Sequence, residues 1–214
     1  MTRTSRITLS GRRTKPVKGK PTPPTAASTN DASERRDRIV LAASQHFARN
    51  GFDATSMRDI AKDAGILAGS MYHYFASKEE LYIAAHAAGL KVVTEAVLEA
   101  IKGVADPWER LAEAAAVHCR MLVGNHARVF RHPQIPTPSL IVDFHGVIVR
   151  QRDSYERIFR DLIADLPLPK DVDRHLLRLH FLGALNWVSQ WYRADFRLTP
   201  DEVGRGLVHM LRRK

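Results

Sequence analysis

The side chains best placed to act together lie between residues 55 and 81. Ser56 and Arg58 open a short segment with an apolar face. Gly69, Ser70, Tyr72 and His73 follow a glycine-containing turn, and Lys78 stands at the start of the next segment. The set offers hydroxyls, a phenol, an imidazole, a guanidinium and an ammonium, separated by small residues. Such groups hydrogen-bond to phosphate oxygens and base edges, and Gly69 and Ser70 leave room for close approach. Covalent chemistry is served less well. Cys119 directly follows His118, and helix neighbours point about 100° apart, a poor geometry for a nucleophile and its base. His118, His126, His132, Asp143, His145, His175 and His180 could meet only through the fold, and none has a ligand spacing such as His-Glu-x-x-His. Neither a Gly-rich nucleotide loop nor a nucleophile elbow occurs. No metal, no cofactor and no enzymatic activity are therefore expected.

The elements around these residues read as helices throughout. Ile39, Ala42, Ala43 and Phe47 repeat at helical spacing and predict a first helix over 33–49, stopped by Asn50-Gly51. Thr55 or Ser56 caps a second over 55–64, whose apolar face is Met57, Ile60, Ala61 and Ala64. Gly65 permits a sharp exit, Ile66 and Leu67 plug the angle, and a short third helix covers 68–75. Two helices held by such a turn are a device for setting one of them in the major groove of DNA. Ser77 and Glu80 form a capping box that starts a long helix reaching Ile101. Beyond it, helices are predicted over 107–124, 142–164, 171–192 and 199–211. Thr199, Pro200 and Glu202 mark the start of the last. Prolines within 132–138 break the chain, and 140–149 is the one stretch where a strand competes.

The chain has 214 residues, 44% hydrophobic and 26% charged, with a formal charge of +10. That charge is uneven. Residues 1–30 hold seven Lys and Arg and no acid, with four prolines, and are expected to be a disordered basic tail. Residues 31–81 hold seven basic and eight acidic residues, so a DNA-binding head here must work by placement of its cations rather than by net charge. Cys119 is the lone cysteine, and no apolar run approaches the roughly 18–20 residues of a membrane span. A cytoplasmic protein without membrane contact is expected.

Taken together, Ile39-Val40-Leu41-Ala42-Ala43, Phe47, Gly51-Phe52, Thr55-Ser56-Met57-Arg58-Asp59-Ile60-Ala61, Ala64-Gly65, Gly69-Ser70-Met71-Tyr72-His73-Tyr74-Phe75 and Lys78-Glu79-Glu80-Leu81 resemble the TetR family of bacterial transcriptional regulators. The resemblance implies an all-α fold of about nine helices. Its parts would be a helix-turn-helix DNA-binding domain over 31–80 and a helical ligand-binding and dimerisation domain over 81–214. It implies that Ser56 and Arg58 touch the DNA backbone and that Gly69, Ser70, Tyr72, His73 and Lys78 belong to the DNA-contacting region. Leu67 stands where the family often has a capping Ser or Thr, and Ala68 where a polar or basic residue is common.

The family further implies a homodimer built on the last two helices, where Leu176, Leu179, Gly183, Val203, Leu207 and Met210 supply the face. An apolar effector chamber can draw on Met121, Phe130, Phe144, Ile148, Tyr155, Phe159, Trp187 and Trp191, with Asn186, His145 and Arg150 available to fix a polar end. Each of these also serves ordinary core packing. The stretch from Gly183 to Arg193 and the Gly65-Ile66-Leu67 turn resemble TetR-type regulators of lipid, fatty-acid or steroid breakdown, which implies an acyl-CoA or other lipid-like effector. Arg193 would then face an acidic headgroup or close a helix-end salt bridge. The expected partners are a palindromic double-stranded operator and that effector, and the expected action is repression relieved by ligand. A helical interaction protein without specific DNA binding is the main alternative, and a small-molecule enzyme a further one.

Overall fold

A computed structural model describes residues 26–124 and 141–212, with side chains over 31–124 and 146–212. Among the described residues the chain forms eight helices and no strand, against the nine or so expected. They are α1 (Ala26–Asn50), α2 (Met57–Asp63), α3 (Ala68–Met71), α4 (Lys78–Ile101), α5 (Pro107–Val123), α6 (Ile141–Ala164), α7 (Arg174–Trp191) and α8 (Pro200–Arg212). The first starts earlier than residue 33, inside the stretch expected to be irregular. The strand alternative over 140–149 is settled as helix from Ile141 onward. The proline-rich break at 132–138 lies outside the described residues.

Helix ends follow local chemistry. Ser56, Ser77, Asp106 and Asp173 cap α2, α4, α5 and α7 through side-chain oxygens. At α8 the Glu202 amide donates to Thr199 Oγ1 at 3.2 Å and the Thr199 amide donates to the Glu202 carboxylate at 2.7 Å, a complete capping box.

Two apolar cores result. The head core joins Ile39, Ala43, Ile60, Ala61, Met71, Phe75 and Leu81. The body core joins Val93 and Val97 to Leu111, Phe159, Ile163, Phe181, Leu185 and Val208. α4 belongs to both, contributing Leu81 and Ala85 to one and Leu90, Val93 and Val97 to the other. By length and composition it is also the one described helix apolar enough to cross a membrane, which corrects the sequence expectation. Its buried positions are occupied by the two protein cores.

α8 lies on α5 more closely than side chains normally allow. A Cβ at Gly204 would stand 2.4 Å from the Ala115 carbonyl oxygen and 2.7 Å from the Ala116 nitrogen. The small residues Ala114, Ala115 and Ala116 form the seat. Ion pairs fasten the rim: Arg205 to Glu113 at 2.8 Å, Arg120 to Asp201 at 2.6 Å and Arg212 to Glu109 at 2.9 Å.

One polar cluster interrupts the body core. His118 on α5, 3% exposed, meets the Tyr155 hydroxyl of α6 at 2.7 Å and Asn186 Oδ1 of α7 at 3.1 Å. Because Oδ1 only accepts, Nε2 carries the proton, and the Tyr155 hydroxyl donates to Nδ1. Burial lowers the imidazole to about 4 from its usual 6.5, and Asn186 only partly opposes it.

Two measurements test this packing. Gly204→Ala should lower stability by about 1–3 kcal/mol in urea unfolding, because the obstructing atoms are backbone. His118 stays neutral in the fold while the unfolded chain protonates near 6.5. Stability is therefore full above that pH and falls as pH drops toward about 4, by about 2 kcal/mol from about pH 7.5 to pH 5. A His118→Gln variant should lose less over the same interval; equal losses would show that this imidazole is not the acid-labile group.

Candidate nucleic-acid interface and effector chamber

The exposed face of the head is made by a very short helix. α2 ends at Ala64, and Gly65 at φ +69° lets the chain turn back. The Gly65 amide donates to the Lys62 carbonyl at 3.2 Å and the Ile66 amide to the Ala61 carbonyl at 3.0 Å, the paired bonds of a Schellman end. α3 is regular only over Ala68–Met71, shorter than the 68–75 expected. Hydrogen-bonded turns carry it on: His73 N to Ser70 O, Tyr74 N to Met71 O and Phe75 N to Met71 O, at 2.9–3.2 Å. Met71 and Phe75 are 0% and 1% exposed and point into the head core. Tyr72 and His73 consequently point away from it, Tyr72 being 61% exposed. Gly69 is open to solvent and Ser70 half-buried.

Other predicted contacts divide. Arg58 is exposed. Ser56 is exposed too, but its hydroxyl accepts from the Asp59 amide at 3.1 Å and donates to the Asp59 carboxylate at 2.5 Å, so capping is its primary task. Lys78 requires a correction. Its ammonium donates to the carbonyls of Phe52 (2.9 Å), Thr55 (3.1 Å) and Asp53 (3.5 Å) and sits 4.3 Å from the Phe52 ring centre. Its three donors are spent on the loop between α1 and α2, so it braces the head instead of standing free for a phosphate. Phe52 in turn packs edge-on against Tyr82 and stacks on Phe47.

Leu67 is a second correction. Ile66 packs against the head core, but Leu67 is 79% exposed and makes no side-chain cap. An apolar side chain thus stands in solvent beside Ala68 at the start of the reading turn. The sequence signalled this position through the missing Ser or Thr, though not its exposure.

In the body, Tyr155 and Phe159 are buried beside His118, with the Phe159 ring edge-on to the imidazole at 5.5 Å. Asn186 joins them through its hydrogen bond, and Met121 packs at the margin of the same core. His118 was absent from the predicted chamber, although an inward His on an apolar helix face was the signal available. Ile148 is displaced: it is buried in the head core, not the body. Trp187 is 64% and Trp191 38% exposed, Trp191 packing edge-on against Phe196 instead of lining a chamber. Phe130 and the side chain of Phe144 lie outside the described residues.

Of the predicted dimer residues, Leu176, Leu179 and Met210 are 49%, 46% and 65% exposed, and Gly183 is exposed with open space above it. Trp187 extends that stripe. Val203 and Leu207 are half-buried against the body core, so α8 already spends most of that face within the chain. Burial raises the Cys119 thiol to about 12, leaving no reactive thiolate at neutral pH. Among the described residues no three His, Cys, Asp or Glu side chains converge as a metal site; His126 and His132 lie outside them.

This geometry agrees with known proteins. Residues 39–85 match the pattern described as bacterial regulatory proteins, tetR family, and residues 104–214 match the tetracyclin repressor-like C-terminal domain. The HTH-type transcriptional repressor KstR2 of Mycobacterium tuberculosis (strain ATCC 25618 / H37Rv) is 32% identical over 181 residues, covering 81% of this chain and 88% of its own length. A solved structure of the ketosteroid transcriptional regulator KstR2 from that species covers 83% of this chain and 92% of its own, with a TM-score of 0.60 and 28% identity. FadR from Bacillus subtilis in complex with stearoyl-CoA has the same fold, with a TM-score of 0.71 at 24% identity over 82% of this chain and 96% of its own. The head, the helical body and these likenesses agree, and the chain belongs to the TetR family of transcriptional regulators, on the side of it that includes the lipid- and steroid-catabolism repressors.

Proposed function

We propose that this regulator is a cytoplasmic homodimeric repressor that holds a palindromic operator through the outward face of α3 and releases it when a small apolar or acyl-CoA-like effector enters the body. The observation that carries the reading is the division of one short turn: Met71 and Phe75 fully buried, Tyr72 and His73 directed outward. Tyr72, His73 and Ser70 supply hydrogen-bonding groups for base edges or phosphates, Gly69 permits approach, and Arg58 and Ser56 flank the backbone. Leu67 and Ala68 add an apolar surface of the kind that meets thymine methyl groups.

Pairing through Leu176, Leu179, Gly183, Trp187 and Met210 would present two heads to the two half-sites of a palindrome. The His118–Tyr155–Asn186 cluster offers polar groups to an otherwise apolar effector, with Phe159 beside it. The names of the relatives, a ketosteroid regulator and a FadR holding stearoyl-CoA, favour coenzyme A thioesters of steroid or fatty-acid fragments. α6 offers the route of action. It carries Tyr155 and Phe159 in the body core and Ile148 in the head core, and the buried His86 of α4 donates to its Gln151 at 2.7 Å. Effector binding that shifts α6 would then move the head. A differential affinity of about 1–3 kcal/mol would change operator binding about 5–150-fold.

Selection of genomic DNA fragments with purified full-length protein should enrich one palindrome, and a panel of acyl-CoA thioesters should release it. No enrichment over scrambled duplex at fixed salt would leave a helical interaction protein as the better reading. Tyr72→Phe should relax preference at one operator position by about 1–3 kcal/mol if the phenol reads a base; equal weakening on all duplexes assigns it to a phosphate. Leu67→Thr supplies the missing cap and should raise stability by about 0.5–2 kcal/mol in urea unfolding while reducing any thymine preference beside it.

A further inference from the structure

The face of α6 turned away from the body core is unusually rich in arginine. Arg150, Asp153, Ser154, Arg157 and Arg160 share one side of the helix, and with Arg178 of α7 they line one open cleft of about 490 Å³. The lining sets four guanidiniums against one carboxylate. Nearby acids are already engaged: Glu156 with Arg178 at 2.8 Å and Arg152 at 3.3 Å, and Asp161 with Arg160 at 2.9 Å. Asp153 itself faces Arg152 at 3.7 Å. Arg157 donates only to the Ser154 hydroxyl, at 2.9 Å. Among the described residues, Arg150 and Arg157 have no carboxylate partner.

From this arrangement we infer that the cleft between α6 and α7 is a seat for a phosphate-bearing, polyanionic headgroup of a small molecule. A solvated charge run would spread its like charges. Here four guanidiniums gather around one open cleft, which raises the local concentration of a counter-ion. Guanidinium forks match phosphate oxygens in pairs, and the volume falls within the range of small-ligand sites. α6 also presents Tyr155 and Phe159 to the body core from its opposite side. A ligand with an apolar tail in that core and phosphates in the cleft would grip both faces of the helix that enters the head. This rests on the effector reading above for the tail, whereas the cleft stands on its own arginines. The phosphates can come from a coenzyme A thioester or from a free phosphorylated metabolite.

The test is calorimetric titration of full-length protein with coenzyme A, adenosine 3′,5′-bisphosphate, inorganic pyrophosphate and adenosine, on wild type and on an Arg150→Gln/Arg157→Gln variant. Circular dichroism and operator affinity serve as checks that the variant is folded. The expected result is salt-dependent binding of the phosphorylated probes, weakened about tenfold or more in the variant, with adenosine bound by neither. Tighter binding of coenzyme A than of pyrophosphate identifies the thioester source; equal binding identifies a free phosphate source. Identical affinities in both proteins would overturn the proposal. So would a parallel loss of affinity for all duplex DNA, which makes the cleft a DNA-backbone surface. If thioesters release the operator equally well from both proteins, the cleft fails and the effector reading stands. If the phosphorylated probes bind only wild type while no thioester releases the operator, the cleft stands and the effector reading fails.

Discussion

The reading turn cannot support itself. A helix of four residues completes almost no intrahelical hydrogen bonds, and nucleation is unfavourable even for good helix formers. The N-cap residue before α3, Leu67, adds no side-chain cap. Shape at this site is imposed from behind, by Met71 and Phe75 buried among Ile39, Ala43, Ile60 and Leu81, and from before, by the left-handed Gly65. Lys78 extends the constraint. By tying the α1–α2 loop carbonyls to the first turn of α4, it fixes the helices on which those two anchors rest. Recognition therefore depends on core packing more than on the propensity of the segment that would touch DNA.

The same logic links head and body. α4 is shared between the two cores, but a single shared helix transmits only what its neighbours force upon it. α6 supplies that force. Ile148 lies in the head core and Gln151 accepts from the buried His86, while Tyr155 hydrogen-bonds His118 one to two turns later. Packed interiors do not deform gradually, so the proposed effector, by changing volume near Tyr155, would act on α6 as a unit. On the far side, the Glu156–Arg178 pair and Arg174, which donates to the Ile163 and Leu166 carbonyls, bind α6 and its exit to α7. Toward α4, by contrast, α6 is held through the His86–Gln151 hydrogen bond, and no ion pair crosses there among the described residues.

What could be read from the chain alone follows from the range of each interaction. Caps at Ser56, Ser77, Asp106 and Thr199 depend on groups three residues apart, and apolar spacing sets the helices between them; both were legible. The assignment of Ile148 was not, because whether an apolar residue on α6 faces head or body depends on the angle at which two distant helices cross. Lys78 failed for a related reason: a lysine at a helix start looks available until the loop some two dozen residues earlier brings its carbonyls alongside. Leu67 was legible as a missing cap but not as an exposed side chain. His118 shows the limit most clearly, since an imidazole among alanines becomes a polar centre only when α6 and α7 deliver Tyr155 and Asn186 to its two nitrogens.

Electrostatics of the head follow from the same placements. The segment from Asp31 to Leu81 holds seven basic and eight acidic side chains, and the structure withdraws some of the cations from any duplex. Lys78 is bound to carbonyls, Arg35 pairs with Asp31 at 2.7 Å, and Arg36 lies over the Phe75 ring at 4.7 Å. Arg38 and Arg49 on α1 and Arg58 and Lys62 on α2 remain exposed, with no ion pair among the described residues. Phosphate contacts of such cations would position the head on a duplex, whereas sequence discrimination would fall to hydrogen bonds and shape at α3. The neutral balance of each head gives the proposed dimer its physical purpose, since two heads on two half-sites add their contacts, and the exposed Leu176, Leu179 and Trp187 of α7 are the apolar surface such a pairing would close.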